Sequence, residues 1–224
     1  DLLTHSIPSE DLYQERKEII ITTKAMSLID WRRAYIFAWA VSCYHSMGLT
    51  QYLARFAYSM GITPRVFYER LQDHDGPIIS RGRLFIESTL DRVLDGGPFD
   101  TVLPSFGEIC WLPDEVTFLD VVDDLDAFYD EMTIFMKSLW NGGSEVWPSL
   151  DVLTDLIEFQ KAMIATPFSA KRQTLDLNTD FLSFFAKAVA DPNNPTTANE
   201  ILADHGAIRF DIERFDEFNN NREL

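Results

Sequence analysis

The chain has 224 residues, 46% hydrophobic and 13% aromatic, enough for a substantial core and too apolar for disorder through most of its length. Thirty-six acidic against nineteen basic residues leave a net charge of −17. That excludes the broad basic footprint of a nucleic-acid surface and argues against an anionic membrane as partner.

Residues 1–26 read as an N-terminal arm. Its start is polar and acidic, without a secretory signal, and the missing initiator Met leads to the expectation of a start inside a longer chain or after processing. Residues 1–18 are expected to be irregular, and Glu18–Thr23 (EIIITT) is a β-branched run that predicts a short strand.

Ser27–Tyr58 is the most apolar stretch, with no formally charged residue from Ala34 to Ala54 when His45 is neutral. Its length invites a membrane span. Ser42, His45, Ser46, Thr50 and Gln51 in its second half are costly in lipid, so a buried helix is expected instead. Ser27 with Asp30 forms a capping-box start, and Gly48 suits the helix end. A second helix runs to about Met60, and Thr63-Pro64 restarts a third, to about Gln72. Asp73–Pro77 reads as a loop, Ile79–Leu94 as a helix, and Phe99–Leu112 as a long connection with an extended end.

Pro113 opens a helix predicted to continue to Trp140, where Asn141-Gly142-Gly143 breaks it. Ser149 caps a helix over Leu150–Ala165, closed by Thr166-Pro167. Arg172–Asn178 alternates as a half-buried strand and pairs with Ala207–Glu213. Thr179 caps a helix to Ala190, Asp191–Thr197 is a loop, and the tail is frayed. The expected fold is mainly α, a multi-helix bundle-like domain with a minor antiparallel β pair. Residues 27–190 form the helical core domain, and 191–224 a loop, a short strand and the tail.

Catalytic signatures are sparse. The sequence has no phosphate-binding glycine loop, no HExxH and no GxSxG. The acidic side of the Pro113 helix offers Asp120, Asp123, Asp124 and Asp130 as candidate ligands for a hard cation. The DDxxD pattern fails, however, because Leu125, Asp126 and Ala127 follow Asp123-Asp124, and a solvated face is the plainer account. His45 is a ligand or general base on the sharper reading and a hydrogen-bonded core histidine on the plainer one. Arg32, Arg33, Arg81 and Arg83 are either anion clamps or salt-bridged. Cys43 and Cys110 cannot form a four-cysteine site. Two buried free thiols in a reducing cytoplasm are expected, with one disulfide as the alternative.

Three stretches together resemble a known family. Lys24–Phe56 (KAMSLIDWRRAYIFAWAVSCYHSMGLTQYLARF) is similar to the segment following the catalytic barrel in cobalamin-dependent radical S-adenosylmethionine enzymes, matching at Met26-Ser27, Trp31, Phe37, Trp39, His45, Gly48 and Leu49. Glu108–Met136 matches that family's acidic helix at Trp111, Pro113, Glu115, Phe118, Phe128, Tyr129 and Glu131. Asp155–Pro167 followed by Leu175–Phe181 resembles its helix–strand element. The family's CxxxCxxC motif and cobalamin-binding domain are absent from this chain.

The resemblance implies the C-terminal helical region of such an enzyme, non-catalytic by itself, packing on the barrel and covering its open end. The parent would carry out methylation or rearrangement at an unactivated carbon. S-adenosylmethionine, a 4Fe–4S cluster and cobalamin would belong to the parent and not to this chain. Trp31, Tyr35, His45 and Trp111 are the implied substrate-facing residues, and the partner is the rest of the parent or another protein. Two alternatives stand beside it: a freestanding acidic interaction module docking on a basic partner, and a helical metalloenzyme using the aspartate-rich face.

Overall fold

Ser27 starts the first helix with a two-way cap. In the computed structural model, which describes residues 2–5, 17–106, 109–139, 149–164, 172–190 and 208–213, the Ser27 hydroxyl accepts from the Asp30 N–H. The Asp30 carboxylate accepts in turn from the Ser27 N–H. Helix α1 (Leu28–Ala40) continues as a π-helical turn over Val41–Ser46. Gly48, at φ +88°, turns the chain in a left-handed conformation that suits glycine. There follow α2 (Gln51–Ser59), α3 (Pro64–Gln72), α4 (Pro77–Leu94), α5 (Pro113–Asp123), α6 (Leu125–Ser138), α7 (Leu150–Ala162) and α8 (Phe181–Ala190). The fold is mainly α, as its periodicity predicts.

The sequence predicts one strand pair, and the described residues hold three antiparallel pairs. The expected one is β5 (Arg172–Leu177) with β6 (Ile208–Glu213), Leu175 facing Phe210. The arm read as irregular supplies β1 (Leu2–His5), which pairs with β2 (Lys17–Ile20) so that Leu2 faces Ile20. Strand β2 stops short of the predicted Thr23 because Thr23 bridges back to Met26 across a turn. The long connection holds β3 (Thr101–Val102) against β4 (Cys110–Trp111).

The predicted Pro113–Trp140 helix breaks at Asp124, whose φ of −133° and ψ of 59° leave the helical region. Its side chain accepts from the Ala127 N–H at 3.4 Å, the local bond that makes Asp a better helix start than helix interior. Helix α8 is likewise started by Asp180, which takes the Ser183 N–H at 2.9 Å, and not by Thr179. The predicted breaks at Asn141–Gly143 and Thr166-Pro167, the loop Asp191–Thr197 and the tail after Glu213 lie outside the described residues.

The chain divides into two compact units, Asp1–Met47 with Tyr68–Glu131, and Gly48–Phe67 with Met132–Leu224. The core of the second is aromatic. Phe56, Phe159, Phe181, Phe184 and Phe185 pack ring on ring, with centroids 5.0 to 6.1 Å apart. Gln160 is fully buried among them. Its amide donates to the Gly48 carbonyl at 2.7 Å and accepts from the Tyr52 N–H at 2.7 Å, so α7 holds the first turn of α2.

The first unit solves the same problem with a charge. Gly76 precedes α4 and has no side chain to cap it, and Pro77 has no N–H to satisfy. The Ile78 and Ile79 N–H groups remain, and both donate to the buried carboxylate of Glu131 on α6, at 2.8 and 3.0 Å. Ser80 then makes the first intrahelical bond, to the Gly76 carbonyl. Every donor of the first turn is thereby used. A Cβ on Gly76 would overlap the Glu131 carboxyl group.

Glu131→Ala is therefore expected to lower the unfolding free energy by about 2–4 kcal/mol, because two buried donors lose a charged acceptor. Gly76→Ala is expected to destabilise by displacing that carboxylate. The double variant should lose less than the sum, since the methyl group added at position 76 then meets no carboxyl group. Urea unfolding of the four proteins measures this, and strict additivity would show that the two residues are not coupled.

Candidate functional site

The uncharged stretch owes its geometry to the π-helical turn. Wider than an α-turn, such a turn is found mostly as a local insertion, frequently at functional sites. Here it buries Cys43 and Tyr44 and brings the polar residues on either side to partners. The Ser42 hydroxyl donates to the Asp114 carboxylate at 2.5 Å. His45 Nδ1 lies 2.8 Å from the Tyr68 hydroxyl, the two rings edge to face at 5.6 Å. Just upstream, the Trp39 indole donates to the Thr117 hydroxyl at 3.3 Å, and Thr117 donates to the Pro113 carbonyl at 2.9 Å. These polar side chains look inward to helix partners. Among the described residues no helix is long and apolar enough to cross a membrane.

Gly82 lets α4 approach this bundle. An added Cβ would stand 3.0 Å from the Tyr44 hydroxyl, 3.1 Å from Thr117 Cγ2 and 3.3 Å from Trp39 Cη2. Gly82 and Thr117 also line a cavity of about 420 Å³. Phe85, Leu103, Val116 and Leu119 give it apolar walls, and Arg81, Ser105, Asp120 and Asp123 surround the rest. Arg81 Nε and Nη2 both reach Asp120 Oδ2 at 2.7 Å. This is the candidate binding site of the first unit.

The four aromatic and histidine candidates do not line it. Trp31 is buried and packs on Tyr35 at 5.5 Å, and Tyr35 meets Phe99 edge-on at 5.3 Å. Burial, aided by the Asp114 and Asp100 charges, pushes the Tyr35 phenol up to about 12. His45 is held by Tyr68 at the far end of the same helical run. Trp111 sits on β4 opposite Thr101, and among the described residues its buried indole N–H has no hydrogen-bond partner.

Of the aspartate candidates, Asp120 and Asp123 reach the cavity, Asp124 sits at the helix break, and Asp130 is exposed on α6. Among the described residues no three His, Cys, Asp or Glu side chains gather to hold a metal ion. Arg32 pairs with Asp91 at 2.5 Å, and Arg83 donates to the Gln72 carbonyl at 2.8 Å. Both cysteines are free. Only Cys43 is buried, and burial raises its thiol well above the ordinary value, which makes it inert. Cys110, expected to be buried, is exposed because successive strand residues face opposite ways and Trp111 takes the inner side.

Gly82, Phe85 and Ser105 are site residues that sequence reasoning did not single out. Gly82 carried a signal: a glycine inside a helix costs about 1 kcal/mol relative to Ala and implies a close approach of backbone. No protein-family model matches this sequence, and no curated protein matches it either.

The raised phenol makes a test of the aromatic cluster. A folded-state value above the unfolded 10.0 means that folding favours the neutral form. That stability is complete below pH 10 and is lost as pH rises toward about 12. Ultraviolet titration is expected to show a late tyrosinate in the wild type that is missing in Tyr35→Phe. The variant's stability should also fall less steeply over that window. Loss of a tyrosinate that titrates near 10 in place of the late one would place Tyr35 in water.

Proposed function

We propose that this chain is a non-catalytic helical domain that packs on and caps the active site of a cobalamin-dependent radical S-adenosylmethionine enzyme. The supporting observation is that four polar residues matching that family, Trp39, His45, Glu115 and Glu131, are committed to the scaffold. Trp39 bonds Thr117, and His45 bonds Tyr68. Glu115 takes the Leu112 N–H at 2.8 Å, and Glu131 takes two N–H groups of α4. A domain that commits Trp39, His45, Glu115 and Glu131 to its own scaffold leaves proton and radical transfer to another part of the enzyme.

The residues present do not fit an iron–sulfur cluster. Such a cluster is held by several cysteine thiolates, and this chain has one buried and one exposed cysteine. The cluster, S-adenosylmethionine and cobalamin would all be held by the parent. A face for that parent is available in the first unit. Val102 (47%), Ile109 (56%) and Leu112 (45%) are exposed around the β3–β4 pair. Ile20 at the end of β2 and Ile29 in the first turn of α1 are exposed as well. Exposed apolar residues gathered on one short hairpin mark a surface that another protein part covers.

The reading frame upstream of Asp1 is expected to encode a CxxxCxxC motif, and a start codon directly before Asp1 would sink the proposal. In the parent protein, hydrogen exchange should be slower over Thr101–Val102 and Cys110–Trp111 than in the separated chain. Equal exchange would remove the docking face.

A further inference from the structure

The cavity between α4 and α5 has in its lining an exposed carboxylate, Asp123, that no side chain among the described residues pairs with. Its volume of about 420 Å³ falls within the range of small-molecule pockets, about 300–1,000 Å³. The Thr117 hydroxyl is used by Trp39 and Pro113. Arg81 is neutralised by Asp120, whose Oδ2 takes both of its nitrogens. Asp123 remains, and among the described residues its carboxylate has neither an ion pair nor a hydrogen bond.

We propose that this cavity binds an organic cation: a primary or quaternary amine on an apolar body the size of one aromatic ring. The body lies against Phe85, Leu103, Val116 and Leu119, and the cationic head lies at Asp123. Three features select this class. An anion would face Asp123 and find the lining cation, Arg81, already paired. A neutral molecule would gain the apolar walls but no attraction from the carboxylate. A cation gains both, with the Phe85 ring as a further attraction and a protein of net charge −17 drawing it in. The back wall is fixed, because Gly82 and Thr117 are themselves packed against Trp39 and Tyr44. The inference is independent of any parent enzyme, since every residue involved lies in one unit of this chain.

Calorimetric titration with phenethylamine, benzyltrimethylammonium, phenethyl alcohol and hydrocinnamate tests it. Both cations are expected to bind saturably and more weakly as salt rises. Phenethyl alcohol should bind about ten-fold or more weakly than phenethylamine, and hydrocinnamate should give no saturable heat. Asp123→Asn, at an exposed helix end, should melt like the wild type and bind phenethylamine about ten-fold more weakly. Asp130→Asn, equally exposed but away from the cavity, should bind as the wild type does. The proposal is overturned by equal affinity for the alcohol and the amine, by an Asp123→Asn variant that binds unchanged, or by no saturable heat from either cation.

Discussion

One buried carboxylate fixes the first unit. Glu131 accepts from the two N–H groups that α4 cannot satisfy within itself, and it does so from a helix more than fifty residues away in sequence. A carboxylate at a helix N-terminus is favoured by the partial positive charge there and by its charge-assisted hydrogen bonds. The arrangement also dictates its neighbour, since Gly76 is the residue type that leaves room for the carboxyl group. With α4 seated in this way, Gly82 comes against Tyr44, Thr117 and Trp39, and it also lines the cavity. Two polar contacts of the uncharged helical run then follow from where α5 lies: Asp114 meets Ser42, and Thr117, one turn further on, meets Trp39.

This economy bears on function. A polar residue in an apolar helix invites a catalytic reading, and here Trp39, Ser42 and His45 are each bonded to structure. The groups left over are at the edges of the unit: the Asp123 carboxylate beside the cavity and the apolar residues of the β3–β4 hairpin. Chemistry carried by a partner domain and a recognition surface carried by this one is the division of labour these positions fit.

Local signals in the sequence are legible and remote ones are not. The Ser27–Asp30 cap, the turn at Gly48 and the alternation of β5 and of β6 are each written within a few residues of where they act, and each is present. The break at Asp124 is hidden because the apolar spacing continues across it, while the deciding event is a side-chain bond to Ala127. Strand β1 cannot be read because its four residues, Leu2–His5, lack the apolar–polar alternation that marks β5 and β6. The site is obscured for a related reason. Asp120 and Asp123 stand out in the sequence only as acidic residues on a helix face. Their opposite wall, on α4 and at Leu103, is assembled in three dimensions.

Gln160 carries a consequence for how the chain is made. Its partners in α2 and at Gly48 precede it by 108 and 112 residues. A ribosome adding about 5–20 residues per second needs roughly 5–20 s to cover that interval. Through that time Leu53, Phe56 and Ala57, fully buried in the finished protein, have no aromatic core to enter. The second unit, split around the first in sequence, is a late-closing body. The apolar side of α2 is consequently the nascent segment most in need of a chaperone's cover.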